Sequence, residues 1–404
     1  MKKFICKHPW SHFEINNPNG DVTMCCNNNT VLGNVNDASV MDVWNGEGFR
    51  KNRQRMLDEG AYAMCPHTCP VLQGGKKYEN MDWHNELDAD GDPRQNAELN
   101  EAEFAAEKVV LESDPRWLRF TYSYACNLDC YHCYQREDAK MRVKLPKEFM
   151  AQLPELVKKA QVVFPFGGEP FYFNPVLDFL KNHNSNLETR FFIITNATLL
   201  TDPVYDILKR LPITCIATSL DAATDASFQE LRTRGKNVSW QLTMDNMAKF
   251  QNLKADKGFT YTVSMTLNSV NSGEIEKFVD LALSLDAEPL VSLVSNPYQE
   301  SGFQKEFLVF SDDQFKDMFA AIDRALPKVR TRGFEDAETY LEQLAAVLKQ
   351  HRKTDNNPAR LQAKKLARKV YHVLPEQLQL PIRRVVQKAR IKHLEATRND
   401  SKPS

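Results

Sequence analysis

The chain has 404 residues, 42% of them hydrophobic, which is enough for two or three domains with a sizeable core. Its formal net charge of −1 gives no global charge pattern that would point to a nucleic-acid or membrane partner. No run of about 18 apolar residues could span a bilayer, and Met1 to Trp10 lacks the apolar stretch of a signal peptide. We therefore expect a cytoplasmic protein.

The cysteines are unevenly distributed, since eight of the nine precede residue 134. In a reducing compartment, clustered cysteines are more often metal ligands than disulfides. They form two groups, and Cys215 stands apart in an apolar segment that predicts a core position. The two groups are Cys6, Cys25, Cys26, Cys65 and Cys69, and Cys126, Cys130 and Cys133.

Residues 1–75 are predicted to form a small cysteine-rich domain, with turn signals such as Pro18-Asn19-Gly20. Its thiolates at loop spacings suit an iron-sulfur cluster or a tetrahedral zinc ion. His8, His12 and His67 are candidate replacement ligands, although solvated or turn positions are commoner for histidine. Trp10 and Trp44 are expected to fill the core. Because so short a domain has a limited core, a bound metal would supply much of its stability.

Residues 76–114 are acidic and are predicted to be a solvated linker that runs into a helix. The string Asp88-Ala89-Asp90-Gly91-Asp92 resembles part of a calcium loop. However, its glycine is at the fourth position, whereas an EF-hand loop requires the sixth, and the closing Glu has the wrong spacing. We therefore expect no calcium site here.

Residues 115–330 alternate short β-branched or aromatic runs with stretches of helical length and periodicity. Six such repeats predict parallel strands with right-handed crossovers. They fit a full or partial barrel, whose active site lies at the carboxyl ends of the strands, or a doubly wound open sheet. The predicted strands are Leu118–Tyr122, Val162–Phe166, Phe191–Ile194, Cys215–Ser219, Tyr261–Met265 and Leu290–Val294, and examples of predicted helices are Lys147–Lys159, Val204–Leu211 and Gly273–Leu285.

The first predicted strand leads into Cys126-Asn127-Leu128-Asp129-Cys130-Tyr131-His132-Cys133, with the spacing C-x3-C-x2-C. Three thiolates from one loop can hold three irons of a cubane and leave the fourth iron open, whereas a closed cluster normally has four cysteines. Two alternatives are a structural zinc site completed by His132 and a ferredoxin-like cluster. His132 would have difficulty turning inward between two ligands, and no fourth cysteine lies close by.

This motif resembles the radical SAM (S-adenosylmethionine) superfamily, and Gly167-Gly168-Glu169-Pro170 after the second strand resembles the element with which that family holds the SAM amino group. The family usually has an aromatic residue where this chain has His132. The resemblance implies a partial (β/α)6 barrel and a 4Fe-4S cluster on Cys126, Cys130 and Cys133. It also implies reductive cleavage of SAM to methionine and a 5′-deoxyadenosyl radical.

Further positions are similar to SAM-contacting positions of the family, although each alone could equally be a turn or cap residue. Asn196 belongs to the segment Thr195–Leu200, in which Ala197 replaces the usual glycine. Ser219 and Asp221 follow the fourth strand, where related enzymes bind the SAM ribose. Arg232 and Asn268 match polar positions that often contact SAM.

The N-terminal group resembles the SPASM or shorter twitch domains, which carry auxiliary 4Fe-4S clusters. The resemblance rests on Gly20-x4-Cys25, Leu32-Gly33-Asn34-Val35 and Val43-Trp44-Asn45-Gly46. It implies one cluster on Cys6, Cys25, Cys65 and Cys69, with Cys26 as a spare or substitute. In most family members this domain follows the barrel, whereas here it precedes the barrel.

Residues 331–404 are predicted to be a basic helical extension, in which positions 349–404 carry 15 Lys or Arg residues against four acids. Amphipathic patterns occur around Leu361–Leu374 and Ile382–Leu394. The basic charge would face solvent or bind an anionic partner such as nucleic acid, a phosphorylated substrate, the acidic linker or a membrane surface.

The sequence thus predicts an oxidoreductase of the radical SAM type that draws electrons from a flavodoxin- or ferredoxin-like donor. Its expected substrate is a peptide or protein side chain, and a sugar-like or nucleotide small molecule is the second choice. Both substrate classes depend on family analogy. The alternative from another class is a non-enzymatic iron-sulfur or zinc protein that binds a partner through its basic tail.

Overall fold

The computed structural model describes residues 4–66, 69, 72, 91–133, 135, 143–183, 188–233, 238–293 and 308–354. His67, most of the acidic string before Asp92, and the basic segment beyond residue 354 lie outside the described residues. The predictions for those segments therefore stay predictions.

The described residues form a nine-stranded sheet in the order β3-β2-β1-β4-β5-β6-β7-β8-β9. Strands β4 to β9 are mutually parallel, and they correspond one for one to the six strands predicted from the sequence. The strands are β1 His12–Ile15, β2 Asp21–Thr23, β3 Gly33–Asn34, β4 Trp117–Thr121, β5 Val162–Phe166, β6 Arg190–Thr195, β7 Ile213–Ser219, β8 Thr260–Leu267 and β9 Glu288–Leu293.

Helices follow the parallel strands, as expected for right-handed crossovers. The helices are α1 His8–Ser11, α2 Val40–Trp44, α3 Glu47–Glu59, α4 Ala61–Met64, α5 Asp92–Ala105, α6 Lys147–Lys159, α7 Asn174–Asn182, α8 Asp202–Arg210, α9 Asp225–Phe228, α10 Trp240–Lys257, α11 Ile275–Ser284, α12 Asp312–Thr331 and α13 Glu335–Thr354. A π-helix, Gln229–Thr233, directly follows α9. No helix among the described residues has the length and apolar character needed to cross a membrane.

The two faces of the first barrel strand, β4, show how the sequence positions the core. Leu118 and Phe120 are buried, and the Phe120 ring packs against Phe149 of α6 and Phe179 of α7. The alternate residues of β4 therefore lie on the opposite, inner face, because side chains of a strand alternate between the two faces. The same alternation through β5 to β9 produces a helix-covered outer core and a concave inner face.

The inner face differs from one side to the other. On β4, β5 and β6 it is aromatic, with Trp117, Phe164 and Phe192 in mutual ring contact. On β7 and β8, the registers Ala217 to Thr262 and Ser219 to Ser264 bring small and hydroxyl side chains to the same face. This arrangement is a partial barrel with an apolar wall and a polar wall.

The N-terminal region joins the barrel through the sheet itself, which the sequence did not predict. Strand β1 pairs in parallel with β4, from His12 opposite Trp117 to Ile15 opposite Phe120. Strands β2 and β3 then extend the sheet antiparallel from β1. The cysteine-rich region is therefore continuous with the first strand of the barrel.

Buried polar contacts reinforce this junction. Trp10 and Trp44 are fully buried, as predicted, and their indole N–H groups donate to the carbonyls of Lys108 and Ser113 at 2.7 and 2.9 Å. Arg53 is also fully buried; its guanidinium donates to backbone carbonyls and lies 4.3 Å from the Trp44 ring centre. The segment that leads into β4 is thus part of the core of the N-terminal region.

Candidate functional site

The three-cysteine loop begins a few residues after β4 ends, at the carboxyl edge of the sheet, where a parallel sheet places its active site. Burial raises the pKa of the Cys126 thiol to about 11 and that of Cys130 to about 12. The charge of Cys133 raises both values further, and Cys126 also raises that of Cys130, so the three thiols are close enough to influence one another. A metal that binds here must displace the thiol protons.

The Gly-Gly-Glu-Pro turn packs directly against the backbone that precedes Cys126. Gly168 N–H donates to Ser123 O, and Glu169 N–H donates to Ala125 O, both at 2.9 Å. A Cβ on Gly168 would lie 1.9 Å from Ala125 O, and one on Gly167 would lie 2.3 Å from Ser123 O. These glycines therefore let the turn approach the backbone of the cysteine loop closely. From the sequence, the close approach was predicted to be to a ligand. Pro170 is buried at the start of the short 3₁₀ helix that follows.

Glu169 is almost completely buried, and the chain itself supplies three donors to its carboxylate. Oε1 accepts from Thr195 Oγ1 at 2.8 Å and from Phe171 N–H at 3.3 Å, while Oε2 accepts from Asn196 N–H at 2.8 Å. Burial raises the pKa of Glu169 to about 7, although these hydrogen bonds oppose the rise. A carboxylate has about four acceptor positions. One therefore remains for a positively charged ligand group.

Asn196 connects this carboxylate to the cysteine loop. Its side-chain Nδ2 donates to Asn127 Oδ1 at 3.0 Å and lies 3.8 Å from Cys126 Sγ. The neighbouring Ala197 takes φ +61°, a left-handed conformation that explains why related sequences favour glycine there. The predicted contact residues Glu169 and Asn196 thus meet the first cluster ligand in one hydrogen-bonded network.

Asp221 and Arg232 are also brought to this edge, but as partners of each other. Arg232 Nη1 lies 2.6 Å from Asp221 Oδ2, and His132 Nε2 lies 3.2 Å from the same oxygen. Asp221 Oδ1 accepts from Thr266 N–H at 2.7 Å. Although burial opposes the change, His132 and Arg232 hold the pKa of Asp221 far below its usual range. Both oxygens of the predicted ribose-binding carboxylate are therefore already engaged.

The two remaining predicted contact residues differ in their surroundings. Ser219 is half-buried on the inner face at the end of β7. Asn268 is fully buried in the turn after β8, where its side chain donates to Thr266 O and accepts from Val270 N–H. The Asn268 side chain builds this turn, and its role toward SAM stays a prediction.

The N-terminal cysteines converge from separate segments. A hydrogen bond to Cys69 raises the pKa of Cys65 strongly, and burial and the charges of Cys6 and Cys25 raise it further. Burial likewise raises the pKa of Cys6 to about 11. The four predicted ligands therefore lie within electrostatic range of one another. Cys26 is exposed by surface area, in contrast to the buried Cys25 beside it.

One contact in this region was not anticipated from the sequence. Glu14 of β1 and Arg119 of β4 form a buried ion pair on the inner face, with 3.3 Å between Oε2 and Nη1. Arg119 also stacks 4.2 Å from the Phe166 ring centre. Burial, followed by the charge of Glu14, raises the pKa of Cys25. The N-terminal cysteines therefore border the barrel wall.

Both cysteine sets supply thiols, which are the protein ligands of iron-sulfur clusters. A tetrahedral zinc site requires all its sulfurs about 2.3 Å from one ion, whereas a cubane distributes its thiolates over separate irons. The candidate metal ligands in both sets are thiols. Beside the loop, two buried nitrogen atoms have no hydrogen-bond partner among the described residues, namely His132 Nδ1 and Arg232 Nε. His8 and His12 stack on each other at 4.0 Å.

Comparison with known families finds two matching regions, and each includes one of the two cysteine groups. Residues 120–282 match the family model of the radical SAM superfamily, and residues 6–70 match that of an iron-sulfur cluster-binding domain, SPASM. These two matches support a radical SAM protein in which a SPASM-type cluster-binding domain precedes the barrel.

Among curated proteins, the chain is similar to the AdoMet-dependent heme synthase of Methanosarcina barkeri (strain Fusaro / DSM 804), with 23% identity over 44% of this chain and 50% of the relative. An uncharacterized protein of Methanocaldococcus jannaschii is 25% identical over 41% of this chain and 57% of its own length. The chain spans about half the length of the curated relatives it matches.

Solved structures with a similar arrangement include Streptococcus suis SuiB and anSMEcpe with bound AdoMet. SuiB has a TM-score of 0.43 and 18% identity, and covers 67% of this chain and 61% of its own. For anSMEcpe the TM-score is 0.42 and the identity 16%, over 54% of this chain and 61% of its own. Likeness at this level is too distant to assign a substrate.

Proposed function

We propose that this protein is a radical SAM enzyme that cleaves SAM reductively and abstracts hydrogen from a peptide or protein side chain. The observation that carries the proposal is the loop of Cys126, Cys130 and Cys133 at the carboxyl end of β4, joined through Asn196 to the buried carboxylate of Glu169. The three thiols would hold three irons, and Glu169 retains an acceptor for the amino group of SAM. A cluster held there would supply the electron whose transfer to the SAM sulfonium breaks a carbon–sulfur bond.

The chain's own residues support this chemistry in two ways. The aromatic wall of Trp117, Phe164 and Phe192 makes part of the inner face apolar. The opposite wall presents hydroxyl groups, including Ser219 and Ser264. A side chain inserted between an apolar and a polar wall could be oriented by both.

We further propose a second 4Fe-4S cluster on Cys6, Cys25, Cys65 and Cys69, with Cys26 outside the ligand set. This proposal is supported by the SPASM match over residues 6–70 and by the mutual electrostatic influence of these thiols. Cys25 lies within electrostatic range of Glu14, which pairs with Arg119 on the inner face. A cluster held by these thiols would therefore be near enough to the barrel to exchange an electron with a substrate or to position it.

Anaerobic reconstitution tests both clusters. The chain should bind about eight irons as two cubanes, and it should form 5′-deoxyadenosine from SAM when dithionite is supplied. Zinc in place of half the iron would overturn the N-terminal assignment. Absence of 5′-deoxyadenosine from a chain with a fully loaded three-cysteine loop would overturn the enzymatic proposal.

The substrate class is tested by isotope transfer. Cells that produce the protein are grown in deuterated medium, and their extract is separated into a peptide and protein fraction and a small-molecule fraction. The reconstituted enzyme is then incubated with each fraction and unlabelled SAM. Deuterium should enter 5′-deoxyadenosine from the peptide and protein fraction. Transfer from the small-molecule fraction alone would favour a metabolite as the substrate.

A further inference from the structure

A buried carboxylate connects the three-cysteine loop to the ends of two barrel strands. Asp221, which follows β7, contacts His132 of the loop at 3.2 Å and the backbone N–H of Thr266 in β8 at 2.7 Å. Tyr131 N–H also donates to Leu231 O in the π-helix at 2.8 Å. Short π-helical segments occur frequently at functional sites. The middle of the loop is therefore held by a second set of contacts, which do not involve Glu169.

The same carboxylate is paired with a cation. Asp221 and Arg232 are 2% and 5% exposed, and 2.6 Å separates Oδ2 from Nη1. Although burial opposes the change, the charges of Cys130, Asp221 and Cys126 raise the pKa of Arg232 above its usual range. Arg232 is therefore close enough to the thiols for its charge to act on whatever they bind.

Opposite buried charges near a cluster act oppositely on its reduction. A 4Fe-4S cluster gains one unit of negative charge when it accepts one electron from a low-potential donor such as dithionite. A nearby buried cation stabilises that added charge and a nearby buried anion destabilises it, because the local dielectric is low. Net charge and hydrogen bonding are recognised determinants of cluster potential.

We propose that Asp221, Arg232 and His132 together set the reduction potential of the cluster held by Cys126, Cys130 and Cys133. Arg232 favours the reduced cluster, and Asp221 limits that effect. His132 is a positioning residue, since its Nε2–H donates to Asp221 and keeps the loop at the distance at which both charges act. This inference rests on the proposed function, because it requires a cluster on these three thiols.

The test is an EPR-monitored redox titration of the reconstituted full chain without SAM or substrate. Asp221→Asn should shift the potential of the loop cluster to more positive values, and Arg232→Gln should shift it to more negative values. Arg232→Lys keeps the charge and should shift it least. Shifts of the same sign, or no shift in a fully loaded cluster, would overturn the inference.

Two internal references separate a local field effect from general damage. The second signal, assigned to the N-terminal cluster, should keep its potential in all variants. Asp286→Asn is the matched control, because Asp286 forms an ion pair with Lys254 at 2.6 Å but lies before β9, at the opposite end of the sheet from the loop. This control should shift neither signal.

His132 provides a second route if the charge variants fail to load iron. His132→Phe keeps a flat ring but cannot donate to Asp221, whereas His132→Gln keeps a donor. The Phe variant should shift the potential and change the EPR line shape of the loop cluster, and the Gln variant should restore both toward the wild type. Equal behaviour of the two variants would contradict the role of His132.

Failure of the proposed function can be distinguished from failure of this inference. If the wild-type chain forms neither a reducible loop cluster nor 5′-deoxyadenosine, the proposed function fails. If the wild type does both and the variants do not shift as stated, only the present inference fails.

Discussion

The two cysteine groups are built in opposite ways. Cys126, Cys130 and Cys133 come from one short loop after a strand. The N-terminal cysteines come from three separate segments, which lie just before α1, just after β2 and just after α4. The spacing of ligands within one loop is visible in the sequence, so the chemistry of such a site can be predicted without knowledge of the fold. An assembled site exists only when the surrounding core is formed. Iron loss should therefore have local effects at the first site and structural effects at the second.

The largest expected effect is at the loop. Replacing Cys126, Cys130 and Cys133 together with Ala should abolish 5′-deoxyadenosine formation and remove about four of the eight expected irons. The N-terminal cluster should remain, because its thiols come from other segments of the chain. Iron and sulfide analysis, together with chromatography of the nucleoside product, measures both results. Cys215→Ala is the control, since that buried thiol lies in β7 and should cost no iron.

Next in size is the effect at the N-terminal group. Replacing Cys65 and Cys69 with Ala should remove the other four irons and also lower the melting temperature, since bound metal stabilises a small core. Cys26→Ala should retain all the iron, because Cys26 is exposed and outside the proposed ligand set. Full iron in the double variant, or iron loss in Cys26→Ala, would reverse the assignment.

The core that assembles the N-terminal site can be weakened without touching a cysteine. Arg53→Ala leaves the carbonyls of Pro9 and Val109 without their donor and removes the contact with Trp44. We expect it to lower the free energy of unfolding by about 2–5 kcal/mol, from unsatisfied buried acceptors and a cavity. Arg55→Ala is the matched control on the same helix, where an exposed ion pair with Glu59 contributes about 0–1 kcal/mol. Denaturant unfolding compares the two.

The smallest expected effect concerns the affinity for SAM. Glu169→Gln should weaken SAM binding about 10- to 100-fold, the range for a lost hydrogen bond to a charged group. The pKa of Glu169 near 7 means that the carboxylate ionises as pH rises from 6 to 7.5. Wild-type affinity should therefore increase over that range, while the Gln variant should show no such increase. Equilibrium dialysis with labelled SAM measures both, and parallel pH profiles would exclude Glu169 as the titrating acceptor.

The sequence predicted the barrel well because each repeat carries its own signal. The predicted bounds of β5 and α6 match the structure residue for residue, since an apolar run and an amphipathic helix are separated by a single turn. The remaining barrel strands differ from prediction only at their ends. Such periodic signals depend on neighbouring residues alone.

Features that depend on distant residues were not predictable in this way. Strand β1 is only four residues long and all of them are buried, so its short polar–apolar alternation does not identify its partner strand. Its partner β4 is paired through contacts such as Glu14 with Arg119, which are 105 positions apart. The Asp221 contacts are equally non-local. The departure from an aromatic residue at His132 was visible in the sequence, but its partner was not.

The parallel pairing of β1 with β4 also has a consequence for synthesis on the ribosome. The hairpin of β1 and β2 emerges early, but one edge of β1 stays unpaired until Trp117–Thr121 has been translated. Unpaired strand edges in nascent chains are prone to aggregate, and long-range pairing is slow. The sheet of the N-terminal region is therefore complete only after the first barrel strand has formed. Delivery of iron to the N-terminal cysteines should follow translation of the first barrel strand.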